Sequence, residues 1–171
     1  MRTLIPNQEG MSVAEVLIAV AIMGVGLVAL CSAIPMAAYG MQEGKQLSTA
    51  TFLGNQRMEQ VRNAKWTAVD PVAGPAVDLL GVSASATVAP VGDGGVTTFP
   101  DEAALEAPYY TGYSRTVRIT NCSVAPGCGG VLYPALRRVT VTTSYRPMTG
   151  VGVAPATSTK SAVLTMDISQ R

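Results

Sequence analysis

Residues 9–31 read EGMSVAEVLIAVAIMGVGLVALC, and no further charge follows Glu15 until Glu43. The uncharged run, residues 16–42, exceeds the ~20 residues that carry a helix across a ~30 Å hydrocarbon core. A cleaved secretory signal has a basic n-region and an apolar core of only about 7–15 residues. This core is longer, and Arg2 is the only basic side chain ahead of it, so that pattern does not fit. For a plain anchor, Glu15 is a cost, on the order of 3 kcal/mol deep in a bilayer and less near a helix end. An ionisable group so placed calls for a partner. Cleavage after Gly10 would create one, because the new α-amine of Met11 lies within about a helical turn of Glu15. A second copy, staggered by a short axial step, brings its own amine to this carboxylate.

Gly10-Met11-Ser12-Val13-Ala14-Glu15 followed by a long apolar helix resembles the prepilin processing site of type IV pilins and type II secretion pseudopilins. The resemblance implies cleavage after Gly10 by a membrane peptidase, N-methylation of Met11, and a role for Glu15 in subunit registration. Met11 stands where the family usually has Phe, and Glu9 where a basic residue often precedes the glycine. The expected organisation is a leader (1–10), a transmembrane and filament-core helix (11–42), an amphipathic helix (43–66) and a globular head (67–171).

Gly24 and Gly26 each weaken helix propensity by about 1 kcal/mol relative to Ala, and Pro35 removes a backbone donor. They suggest a helix able to bend on leaving lipid; ordinary glycine enrichment in membrane helices is the alternative. Beyond Gly40, the residues Leu47, Ala50, Gly54, Met58, Val61 and Ala64 recur at three- and four-residue steps. That spacing predicts one apolar face on a helix running over 12–64, with Arg57, Glu59, Arg62 and Lys65 largely outside it. FLGNQRMEQVRN, residues 52–63, also resembles the helix exit of PilV-type minor pilins.

Residues 67–112 read as a mostly irregular connection with one strand near 83–88 and a helical turn within PDEAALEAP, residues 100–108. Alternating β-branched and polar residues predict strands at 113–120, 138–145 and 162–168. The fold class expected is α+β: a long N-terminal α-helix packed on a small antiparallel β-sheet head. Cys122 and Cys128 flank the turn-rich SVAPG and read as a disulfide in an oxidising compartment, or as two free thiols. Cys31, inside the apolar run, reads as a small hydrophobe.

The chain has no histidine, which excludes His triads and His-ligated metals. Asp93-Gly94 reads as a turn rather than a calcium site, and Arg137-Arg138 as a strand-edge charge pair. Tyr109, Tyr110 and Tyr113 form either an exposed patch or packing against the helix. A net charge of +1 without a basic run gives no support for nucleic-acid binding. No catalytic constellation, cofactor or metal is expected.

The sequence therefore points to a non-enzymatic minor subunit of a type IV pilus, with a type II secretion pseudopilin or a pilus-tip binding module as alternatives. The resemblance implies other pilins or pseudopilins, the prepilin peptidase/methylase, the inner-membrane assembly platform, its motor ATPase and membrane lipid as partners. It implies a single-pass cytoplasmic-membrane location, with the head in the periplasm or outside, before entry into the pilus or pseudopilus.

Overall fold

The computed structural model describes residues 10–67, 77–105, 109–149, 152–153 and 158–170. The leader up to residue 9, and residues 106–108 of the expected helical turn, lie outside the described residues. In chain order the elements are α1 (Val13–Arg62), β1 (Trp66–Thr67), β2 (Val77–Asp78), a short 3-10 turn (Asp93–Gly95), β3 (Tyr113–Asn121), β4 (Leu136–Tyr145), β5 (Met148–Thr149), β6 (Gly152–Val153) and β7 (Lys160–Ser169). Two compact units divide the chain, Met1–Met41 and Gln42–Arg171.

Helix α1 begins where a capping side chain is available. Ser12 Oγ accepts the N–H of Glu15 at 3.2 Å, satisfying one of the donors a helix start leaves open. Glu15 occupies the third helical position, where its negative charge also favours the positive end of the helix dipole. Arg62 in the last turn complements the opposite end. Among the described residues of the first unit, 10–37 are exposed throughout. Between Val13 and Met36, thirteen large apolar side chains stand open. Covering them is worth on the order of 20–40 kcal/mol, and the helix is long and apolar enough to cross a membrane.

The head is built on a three-stranded antiparallel sheet of order β3-β4-β7. Val117 pairs with Val141 and Val141 with Leu164, fixing the register across all three strands. One face of β4, residues 137, 139, 141, 143 and 145, is buried, while the alternate residues are half-exposed, as expected of a sheet covered on one side. The cover is the second half of α1, through Ala50, Leu53, Gly54, Met58 and Val61. Met58 and Val61 join Leu80, Phe99, Val117, Ile119, Val139 and Val141 in one core, flanked by Leu164, Met166 and Ile168 of β7. Gly54 marks the close approach of helix to sheet: a Cβ there would lie 2.8 Å from Leu164 Cδ1 and 3.3 Å from Thr143 Oγ1.

The long strands form at the three predicted places, each a little longer than the alternation suggested. Four expectations are corrected. Residues 83–88 are not a strand; Ser85 Oγ accepts the Thr87 N–H and Val88 N–H reaches Ser85 O, a local turn that competes with ladder pairing. In residues 100–105 there is no helical turn, because Glu102 exchanges two backbone hydrogen bonds of 2.9 Å with Arg115 at the edge of β3. Leu47 is 47% exposed, so the buried face of the helix starts one turn later, at Ala50, and takes in Leu53 three residues beyond it. Arg137-Arg138 does not lie at a sheet edge, because β4 is the central strand.

Candidate functional site

The residues expected to be processed sit together at the start of α1. Gly10 and Met11 precede the first helical residue and are exposed, Met11 at 70%. A Cβ at Gly10 would meet nothing within 4 Å, so the Gly10-Met11 peptide is an accessible, non-helical bond. Glu15 is exposed one turn further on. The cap at Ser12 adds to the sequence reading, although a signal for it exists: Ser-x-x-Glu, residues 12–15, is the pattern of a capping box. Glu15 thus has a local role in starting the helix besides any role between subunits.

Gly24, Gly26 and Pro35 all lie within α1, which is helical through each of them. Cβ atoms at Gly24 or Gly26 would meet nothing within 4 Å in this chain. Cys31 is a free, exposed thiol on the same helix. Cys122 and Cys128 are joined by a disulfide, their Cα atoms 5.0 Å apart. The loop it closes is folded back by Cys128 N–H to Val131 O at 3.0 Å and by Tyr133 N–H to Cys122 O at 3.1 Å.

Charged groups in the head are organised as struts. Arg115, 6% exposed on the inner face of β3, donates to Glu102 Oε2 at 2.7 Å and to the helix carbonyl of Leu53 at 2.8 Å. Arg57 reaches Glu102 Oε1 at 3.6 Å and lies 5.3 Å from the Phe99 ring centroid. Burial, with repulsion from Arg115 added, lowers the Arg57 pKa against the opposing pull of Glu102. Across the core, Arg137 donates to Asp78 Oδ1 at 2.7 Å and to Gly81 O at 3.1 Å, and lies over the Trp66 ring. Burial pushes the Asp78 carboxyl up, but the hydrogen bond from Arg137 and the amides of Gly81 and Leu80 prevail and hold it below its ordinary value.

On the outer side, Arg118 grips Asp101 in a bidentate pair at 2.6 and 2.8 Å, and Arg138 grips Asp167 at 2.7 and 2.8 Å. Both carboxyls are lowered chiefly by these hydrogen bonds. Lys160 pairs with Glu43 of the helix. Sequence spacing carries no trace of these pairs, whose members lie up to 117 residues apart.

The turn at Asp93 is present: Gly94 has φ +70°, and Asp93 Oδ2 accepts the Asp78 N–H at 2.6 Å. Among the described residues, no group of three or more His, Cys, Asp or Glu is placed to hold a metal ion. The tyrosines divide. Tyr113 packs 5.9 Å from the buried Tyr145 ring, and its hydroxyl reaches Gln46 O at 3.5 Å, whereas Tyr109 is 82% exposed. Tyr110 meets Tyr113 edge-on at 6.3 Å. With helix residues from Gln42 to Thr49 they line an open groove of about 300 Å³.

Comparison with protein-family models, with curated proteins and with solved structures finds no match to this chain.

Proposed function

We propose that this chain is a structural minor subunit of a type IV pilus or related filament, processed at its N-terminus before assembly. The observation that carries the reading is an exposed Gly10-Met11 bond and an exposed Glu15 at the start of an apolar helix that buries none of its membrane-length segment. Hydrolysis after Gly10 consumes one water and leaves a carboxylate on the leader and an amine on Met11; a sulfonium methyl donor then passes its methyl to that amine, which loses a proton, and departs as the thioether. The apolar helix holds the subunit in lipid first and packs among neighbouring helices afterwards. Both environments cover the thirteen side chains that the isolated chain leaves open. In the packed state, Glu15 meets the Met11 amine of a neighbour, so the charge is tolerated in the filament and costly in an unpaired subunit. The head, braced by its disulfide and ion pairs, forms the exposed part of the subunit.

Glu15→Gln separates the two roles of this residue. Glutamine is an acceptable third residue of a capping box, so the helix start is kept while the charge is removed. The expected result is a variant that is cut and membrane-bound but missing from sheared filaments. Wild-type levels of the variant in filaments would mean that the carboxylate serves the helix end alone.

A further inference from the structure

Where the second half of α1 meets the edge strand β3, the head holds a polar cleft of about 190 Å³. Gln56, Arg57 and Gln60 line it from the helix, Glu102 from the segment bridged to β3, and Arg115 from β3 itself. Arg115, 6% exposed, is well served: its Nε donates to Glu102 Oε2 and its Nη1 to the Leu53 carbonyl. Arg57 is not. Its Nη1 donates to Gln60 Oε1 at 2.8 Å, but Glu102 Oε1 stands 3.6 Å from its Nη2, too far for a hydrogen bond. Its Nε is buried without a partner among the described residues, and an unpaired buried donor is costly. The Nε–Nη2 edge of a guanidinium is one that takes a carboxylate through two parallel N–H···O bonds. In Arg57 that edge lacks a short partner. Among the described lining residues, one carboxylate faces two guanidinium groups, so the cleft is one negative charge short.

We propose that this cleft binds a small hydroxylated carboxylate, with the carboxylate on Arg57 and the hydroxyls on Gln56 and Gln60. The site lies wholly within the second unit, so it is independent of what the apolar half of α1 does in lipid. Charge decides the class of ligand. A monoanion brings two guanidinium groups and two carboxylates into balance. A phosphate group, with a charge near −2 at neutral pH, overshoots that balance and meets Glu102 across the cleft. A cation meets two fixed positive charges, and an apolar ligand would leave the charged groups desolvated and unpaired. Size sets a second limit, because drug-sized ligands occupy roughly 300–1,000 Å³ and this cleft is smaller. Gln56 and Gln60 are exposed, one helical turn apart on the same face. Their amides donate to and accept from hydroxyl groups, which a bare carboxylate would not use.

The test titrates sodium lactate into the full-length chain in detergent, at constant ionic strength with chloride as the balancing anion. The Arg115 Nε–H resonance reports binding; Glu102 holds that proton at a donor–acceptor distance of 2.7 Å, which slows its exchange with water. The wild type should bind lactate saturably, and inorganic phosphate more weakly. Arg57→Gln should weaken lactate binding roughly tenfold or more, the worth of one hydrogen bond to a charged group. Glu102→Gln should tighten it, because two guanidinium groups then face the cleft without a carboxylate. Unfolding midpoints without lactate establish that each variant is folded. An Arg115 signal that lactate does not move in the wild type overturns the site. Equal lactate affinities in the wild type and Arg57→Gln, or tighter binding of phosphate than of lactate, overturn it as well.

Discussion

Replacing Glu102 by Gln removes the carboxylate that stands between two guanidinium groups. Arg115 is 7% exposed at its side chain and 2.7 Å from Glu102; Arg57 is 13% exposed and 3.6 Å away. Removing one partner of a buried pair costs about 3–5 kcal/mol, because a charge is left uncompensated. The Glu102 side chain is 29% exposed, so water screens part of this, and about 2–3 kcal/mol remains. The amide still accepts a hydrogen bond but supplies no charge. Arg57→Gln should cost less, about 1 kcal/mol, because losing that cation also relieves its repulsion with Arg115. Thermal unfolding of the full chain in detergent, followed by near-ultraviolet circular dichroism, gives the comparison. The expected midpoint drop for Glu102→Gln is roughly 8–12 °C, against about 3–5 °C for Arg57→Gln. Equal drops, or a larger one for Arg57→Gln, would refute the view that the carboxylate holds the helix to β3 against two like charges.

Three further outcomes are expected. Asp78, Asp101 and Asp167 all have native pKa values below their ordinary ones, so their stabilisation is present above about pH 4 and is lost as pH falls through the native values. Asp78, the least exposed of them, should dominate, and Asp78→Asn should flatten the acid limb of a stability–pH curve. Gly81 has φ +74°, and a Cβ would lie 2.7 Å from the Val91 carbonyl carbon; Gly81→Ala should cost about 2 kcal/mol or more in denaturant titration. Reducing Cys122–Cys128 opens a loop with a sequence separation of 6 and should cost roughly 2 kcal/mol, read as a shift in the unfolding midpoint with dithiothreitol.

The elements with strong periodicity were legible from the sequence, and the contacts between them were not. An uncharged run longer than a bilayer and three alternating stretches left little choice about α1, β3, β4 and β7. The apolar face of the helix was legible near Ala50, Gly54, Met58 and Val61, where the sheet opposite is apolar. It misled at Leu47, which lies one turn before Ala50, the first helix residue the head buries. Residues 83–88 alternate like a strand, yet Ser85 and Thr87 satisfy their own backbone locally. The Arg115–Glu102 and Arg137–Asp78 struts join distant segments, so only the folded chain displays them. Of the candidate site, Gly10, Met11 and Glu15 stand out by their spacing ahead of an uncharged helix, and the Ser12 cap is legible as Ser-x-x-Glu, residues 12–15, with the Oγ to N–H hydrogen bond observed in the fold.

The central claim concerns a covalent event and is tested most directly by the intact mass of the protein recovered from its native envelope. The account predicts a chain lacking residues 1–10 and carrying one added methyl group on Met11. A full-length, unmethylated chain in the same membrane would contradict it, leaving an anchored β-sheet head with no route into a filament.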